Sequence, residues 1–138
     1  MPTIREQVIA ALAQRLGAQR ANTVIEALPA RSLWDSNDSD VERADFGQMA
    51  VTMTLTLETV HQADNDPGRW SEQGNAILGQ LIIDATGQDV TLSGLCDDIA
   101  YAGGTIYYPE DGSEVIGVDI NLAVRFRFDV GDPFTNSM

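Results

Sequence analysis

The chain has 138 residues, of which 43% are hydrophobic, so it can form one domain with a core and is too apolar for intrinsic disorder. Twenty-one acidic residues against eight basic ones, all of them arginine, give a net charge of −13 at pH 7. Such a charge repels phosphate backbones and argues against sequence-specific binding of DNA or RNA. The longest apolar runs are far shorter than the ~20 residues of a membrane span and no basic leader is visible, so we expect a soluble protein without an export signal.

The first seventeen residues predict an amphipathic helix. Thr3 and Glu6 have the spacing of a capping box, in which each side chain accepts a hydrogen bond from a backbone N–H at the start of a helix. Gly17 is typical of a helix end. The apolar side chains recur every three or four residues, and we expect them to cover a sheet; they are Ile4, Val8, Ala11, Leu12 and Leu16.

The next part of the chain predicts irregular structure. Short apolar runs on both sides of Leu28-Pro29 predict two short extended pieces between Thr23 and Trp34, because proline is excluded from the centre of a sheet. The segment Asp35–Asp45 is acidic and too polar to pack. We therefore expect it to form a mobile loop.

The acidic segment is similar in spacing to a calcium-binding loop but does not match one. A count from Asp35 puts Phe46 where the bidentate glutamate belongs, and a count from Asp38 puts Arg43 where the glycine belongs. We therefore expect no metal site and no cofactor.

Two long segments alternate apolar and polar side chains, as strands do when one face lies on a core. They run from Met49 to Val60 and from Val115 to Val130. We expect both in a single mixed or antiparallel sheet of an α/β (α+β) domain, with two main helices packed on its apolar face. The second segment would extend about 53 Å, against about 37 Å for a compact chain of this size. It must therefore bend, carry a bulge at Gly117, or project and offer a paired ribbon to another copy.

The polar faces of these two strands complement each other. Threonines and Glu58 on the first strand are expected to face Arg125 and Arg127 on the second, as ordinary cross-strand pairs. Pro109–Gly112 has turn chemistry and lies between a short strand, Thr105–Tyr108, and the long one. This order predicts a hairpin with an acidic tip.

A second helix is predicted after Asp66-Pro67, which supplies an N-cap and a proline in the first turn. Its buried side is marked by Trp70, Ile77, Leu78, Leu81 and Ala85. A short third helix, Leu92–Ile99, is expected to begin after Thr91, and Gly103-Gly104 to break the chain. Gly131–Pro133 ends the last strand and leaves Phe134–Met138 as a short tail, of a kind often disordered until a partner binds.

The chain offers little for catalysis. Cys96, the single cysteine, is expected to be a buried structural thiol. His61, the single histidine, is expected in a solvated turn after the first long strand. An enzyme that uses His61 with Asp64, or the pair Asp97-Asp98, is a weak alternative, because no nucleophile motif, phosphate-binding glycine loop or ligand cluster accompanies these residues.

The order of elements resembles the tail terminator proteins of long-tailed bacteriophages, the minor tail protein U group. The resemblance covers nearly the whole chain and rests on packing patterns, not on a chemical signature. These patterns are Ile4–Leu12, Leu28–Asp35, Met53–Glu58, Leu92–Leu95, and Val124–Phe128 followed by Asp132–Phe134.

This resemblance implies a structural protein that closes into a hexameric ring on the head-proximal end of the tail tube, within the virion, after assembly in the host cytoplasm. The implied partners are other copies of the chain, the tail tube protein and a head-completion or connector protein, with DNA passing through the ring. The resemblance places tube docking on the acidic segment, through Asp35, Asn37, Asp38, Asp40, Glu42 and Asp45. It places subunit contacts on Arg125, Arg127, Glu110 and Asp111.

Three alternatives stay open at this point. The arginine pair is equally well explained as a hydrated sheet face, because exposed charges on strands protect edges from aggregation. The chain can also be another neck or tail-completion protein on a similar scaffold, because position in a virion depends on interfaces and not on the fold. Whether the free protein is a monomer or a ring is not determined by the sequence.

Overall fold

A computed structural model of the chain describes residues 1–20 and 27–137. The helices are α1, Ile4–Leu16, and α2, Trp70–Thr86, and the strands are β1, Gln19–Arg20, β2, Ala30–Ala44, β3, Gln48–Gln62, β4, Asp98–Tyr107, and β5, Val115–Asp129. Two short 3₁₀ turns lie at Asp45–Gly47 and Pro67–Arg69. The first of the two extended pieces predicted between Thr23 and Trp34 falls largely on residues 21–26, which lie outside the described residues.

The strands form one mixed sheet in the order β1-β2-β3-β5-β4. β1 is parallel to β2, and the other neighbouring pairs are antiparallel. The central pair, β3 and β5, is matched without a shift from Gln48 opposite Asp129 to Gln62 opposite Val115. The predicted α+β class and the two long strands are confirmed. The possible bulge at Gly117 is not observed. Where β4 pairs with β5, β4 carries one extra residue between Tyr101 and Gly104.

α1 begins and ends as its sequence predicts. The Thr3 hydroxyl accepts a hydrogen bond from the backbone N–H of Glu6 at 3.0 Å, and Gly17 ends the helix in the left-handed conformation. Only half of the capping box forms, because the Glu6 carboxylate instead accepts two hydrogen bonds from Arg20 on β1. α1 is therefore tied to the edge of the sheet by this ion pair.

α2 follows the predicted start. The Asp66 side chain accepts a hydrogen bond from the N–H of Gly68 at 2.9 Å, and Pro67 lies in the first turn. Gly74 is buried in α2, and a Cβ at this position would lie 2.7 Å from Cγ2 of Ile106 on β4. The missing side chain therefore lets α2 approach the sheet closely.

The core lies between the helices and one face of the sheet, as predicted. Alternate residues of β3 and β5 are buried there, and the buried side chains of α1 and α2 belong to the same cluster. The largest fully buried side chains include Ile9, Leu12, Leu33, Met53, Leu55, Leu57, Leu81, Ile120, Leu122 and Phe126. Burial of these side chains is the main source of stability, at roughly 1.5–3 kcal/mol each.

Two local predictions are wrong. The short helix Leu92–Ile99 is absent; residues 90–95 form turns, in which Leu92 and Ser93 have positive φ, and Asp98 and Ile99 already belong to β4. Asp89 organises these turns, because its carboxylate accepts hydrogen bonds from Thr91 and Ser93. Gly103-Gly104 do not break the chain but lie within β4 at its bulge, where the φ of Gly103 is +125°.

The C-terminal segment folds back on the sheet. The backbone N–H of Ile4 donates to the carbonyl of Pro133 at 2.9 Å, and that of Asp129 donates to Thr135 at 2.8 Å. The side chain of Asp129 accepts a hydrogen bond from Ser137, which lowers the pKa of Asp129. Residues 133–137 are therefore held at the start of α1 and the end of β5 and do not form a free tail.

Candidate interaction surfaces

The acidic segment Asp35–Asp45 is a strand and not the predicted loop. Its residues up to Ala44 belong to β2 and pair with β3, with shifts of register between Asp35 and Asp38 and between Ser39 and Glu42. The segment escaped the sequence analysis because it has no apolar alternation. Its side chains are exposed, and its strand conformation comes from the backbone of β3 beside it.

The six acidic-segment residues singled out for docking differ in their bonding. Arg5 of α1 donates to Asp35 at 2.8 Å and to Asp38 at 2.9 Å, and Glu42 pairs with Arg125. The other three, which are Asn37, Asp40 and Asp45, have no hydrogen-bond or ion-pair partner within residues 1–20 and 27–137. Asn37 and Asp40 therefore leave part of the β2 edge available for a partner, and Asp45 extends this surface into the following turn.

Arg125 and Arg127 lie on the sheet face opposite to the helices, in ion pairs within the chain. Arg125 donates to the Thr52 hydroxyl at 3.1 Å, the cross-strand pairing that the sequence predicts, and also contacts Glu42. Arg127 donates to Asp97 at 2.7 Å, a hydrogen bond that raises the pKa of Arg127. A subunit contact through either arginine would therefore have to join or replace an existing ion pair.

Glu58 does not face an arginine. It lies directly opposite Asp119 on β5, and burial together with the charge of Asp119 raises the pKa of Glu58. Like charges directly opposite each other on neighbouring strands destabilise a sheet. This part of the predicted Thr/Glu–Arg pairing is wrong, because the register pairs Glu58 with Asp119 and places Arg125 opposite Thr52.

The four residues predicted for subunit contact do not form one patch. Glu110 and Asp111 are exposed in the connection between β4 and β5, whereas Arg125 and Arg127 lie near the other end of β5. Ten residues of strand separate Val115 from Arg125, or about 33 Å. The two pairs therefore belong to opposite ends of the sheet.

An exposed aromatic residue that the sequence analysis missed lies at the arginine end. Phe46 is 82% exposed at the turn between β2 and β3, with a φ of 63°. Val41, Val130 and Phe134 are also exposed at this end, and the N–H of Val130 donates to the carbonyl of Gly47 at 2.9 Å. One indication of this exposed residue was present in the sequence. Phe46 lies between Asp45 and Gly47, where a turn favours glycine or asparagine over phenylalanine.

His61 lies in β3 and is half-buried, so the predicted solvated turn is wrong. Burial, and then the charge of Arg31, lowers the pKa of His61. With Arg31 and the α2 residues Ala76, Ile77, Gln80 and Leu81, it lines a half-open cavity of about 210 Å³, called here the α2 cavity. Asp64 lines a different cavity, and no ion pair joins it to His61 within the described chain.

Cys96 is buried, as predicted, and its thiol donates to the carbonyl of Val90 at 3.3 Å. Burial, and then the charge of Asp97, raises the pKa of Cys96 to about 11. Asp97 is engaged with Arg127. Among residues 1–20 and 27–137, no group of three or more histidine, cysteine or acidic side chains is placed to hold a metal ion.

No protein-family model matches the chain, and no curated protein matches it. Within the part of the chain that the structure describes, neither helix is long and apolar enough to cross a membrane.

Proposed function

We propose that this chain is a phage tail terminator, which caps the head-proximal end of the tail tube as a hexameric ring, stops tube polymerisation and provides the surface that joins the head. The observation that carries the proposal is the difference between the two ends of the β3–β5 ladder. One end presents Phe46 and the unpaired Asp45, and the other presents the acidic hairpin connection and the α2 cavity. A molecule with unlike ends is suited to head-to-tail contacts, which close into a ring when the rotation comes full circle.

The charge of the chain supports a ring through which DNA passes. A net charge of −13 repels the phosphate backbone. Most arginines form ion pairs with carboxylates of the same chain, including Arg5, Arg20, Arg31, Arg125 and Arg127. Few positive charges are therefore left to hold DNA in place, which suits passage without sequence-specific binding.

The exposed β2 edge is the candidate for contact with the tail tube protein. The side chains of Asn37, Asp40 and Asp45 have no hydrogen bond or ion pair among the described residues, and Asp35 and Asp38 are held in place by Arg5. An exposed strand edge with bulges resists pairing with other copies of itself. Its polar side chains remain able to bind basic or hydrogen-bonding groups on a partner.

The test is assembly of tail tubes in vitro from the tail tube protein of the same phage, with and without the purified protein. We expect tubes of limited length, each with a ring at one end in electron micrographs. Tubes that grow to the same length with and without the protein would rule out the terminator. Binding to purified heads without an effect on tubes would instead favour a neck or tail-completion protein.

A charge-reversal variant tests the assigned subunit contact. Arg125→Glu with Arg127→Glu should leave a folded monomer that no longer forms rings, and sedimentation velocity measures the change. The control for charge reversal is Arg69→Glu, because the side chain of Arg69 is 59% exposed and its one ion pair among the described residues is with Glu72, at 3.6 Å. Unchanged sedimentation of the double variant would remove both arginines from the interface.

A further inference from the structure

The exposed Phe46 breaks two local rules at once. A non-glycine residue at φ of 63° is strained, because Cβ of an L-residue then crowds the backbone, and asparagine or glycine is usual there. The side chain is also 82% exposed, so it gains little from burial. Locally unfavourable residues without compensation inside the chain are typical of functional positions.

We propose that Phe46 of one copy of the chain inserts into the α2 cavity of the next copy. This contact would supply the head-to-tail interface of the proposed ring, and it therefore rests on the self-association proposed above. Phe46 cannot reach the α2 cavity of its own chain. His61, which lines this cavity, lies fifteen residues away near the opposite end of β3, a distance of about 50 Å.

The α2 cavity suits an aromatic side chain with an acidic neighbour. Ala76, Ile77 and Leu81 make much of its wall apolar, and its volume of about 210 Å³ is of the order of one large side chain. The charged residue in its lining is Arg31, which lies 2.6 Å from Asp84. The lining residues include no carboxylate, so Asp45 beside an inserted Phe46 would approach Arg31 and its partner Asp84 as a neutral pair.

Two other cavities among residues 1–20 and 27–137 fit this occupant less well. One is lined by Asp64 and Glu114 and is mainly polar, so it would repel the carboxylate of Asp45. The other is lined by Asp89 with Gln88 and Ser93, together with Arg15, Ala11 and Leu92, and it is more open and less apolar than the α2 cavity. In a chain with a net charge of −13, contacts between copies must avoid such carboxylates.

Cross-linking tests the contact directly. Phe46→Cys and Ala76→Cys are prepared as separate proteins, mixed and oxidised in about 1 M NaCl, where the Debye length is about 3 Å and repulsion between copies is screened. Cys96 is buried with a raised pKa and should not interfere. We expect disulfide-linked pairs of the two variants. The control is Tyr108→Cys with Ala76→Cys, because Tyr108 is 47% exposed at the far end from Phe46. Equal cross-linking of the control, or none in either mixture, would overturn the proposal.

Complementation in sedimentation velocity gives a second test. Phe46→Asn keeps a residue that tolerates positive φ, and Ala76→Phe fills the cavity from an exposed helix position. Each variant alone should self-associate at least about tenfold more weakly than the wild type. Phe46→Asn should melt no lower than the wild type, because it relieves the left-handed strain at this position. A mixture should form dimers and nothing larger, because Phe46 of the second variant still fits the open cavity of the first.

The outcomes separate this contact from the function proposed above. Rings that form normally in both variants would refute the Phe46 contact and leave the terminator intact. A specific cross-link in a protein that does not limit tube length would support the contact and refute the terminator. Wild-type protein that stays monomeric in about 1 M NaCl, together with no cross-link between Phe46→Cys and Ala76→Cys, would refute the contact.

Discussion

Alanine substitutions at Gly74 and Gly79 of α2 measure how closely this helix packs on the sheet. In an isolated helix both changes should stabilise by about 0.8–1 kcal/mol, since glycine is a poor helix former. A Cβ at Gly79 meets nothing within 4 Å, so Gly79→Ala should realise this gain. A Cβ at Gly74 would lie 2.7 Å from Cγ2 and 3.0 Å from Cδ1 of Ile106.

Overpacking of a core costs about 1–3 kcal/mol, and the gain in helix propensity offsets about 1 kcal/mol of this cost. Gly74→Ala should therefore lower the free energy of unfolding by about 0–2 kcal/mol. Urea denaturation of the two variants should differ by about 1–3 kcal/mol, or about 4–12 °C in melting temperature at about 4 °C per kcal/mol. Ile106→Ala should remove most of this difference. Equal stabilisation by Gly74→Ala and Gly79→Ala would refute the close approach of α2 to β4.

Three further predictions concern single side chains. The raised pKa of Glu58 means that its ionised form opposes folding beside Asp119, so Glu58→Gln should raise the free energy of unfolding by about 0.2–1 kcal/mol at pH 7. This gain should disappear below about pH 4, where the Glu58 carboxyl is protonated in both the folded and the unfolded chain. Denaturant titrations that give an equal gain at pH 7 and below pH 4 would contradict this prediction. Cys96, with a pKa of about 11 and 5% exposure, should react with iodoacetamide only in denaturant, as mass spectrometry would show. Thr3→Ala should cost about 0.5–2 kcal/mol by removing the acceptor for the Glu6 N–H, whereas Thr3→Ser should cost much less in the same titration.

The elements predicted correctly are those whose signals are local. Thr3, Gly17 and Asp66-Pro67 act on backbone groups a few residues away, so they mark helix ends in any context. The alternation in β3 and β5 likewise places one face on a core without reference to other elements. The helix predicted over Leu92–Ile99 does not form, because its helical pattern is weak. Asp89 stabilises turns in its first half, and Asp98 and Ile99 pair with β5.

The candidate surfaces depend on contacts distant in sequence, and the sequence reached them only in part. Arg125 and Arg127 were recognised as partners for polar groups, but the identity of those partners, Glu42 and Asp97, follows from the strand order. In the sequence, Phe46 was noted only as a mismatch to a calcium-binding loop. Its exposure follows from the pairing of β2 with β3, which places it at the turn between them.

The sequence by itself determined the composition of the core, the helix ends and the two amphipathic strands, because backbone capping and side-chain alternation act over a few residues. Only the tertiary structure decided that the acidic segment pairs with β3, that Glu58 faces Asp119, and that Phe46 and the α2 cavity lie at opposite ends of the sheet. Register and strand order bring together residues separated by more than eighty positions. No short-range pattern encodes them, because they are fixed by the burial of the whole apolar face at once.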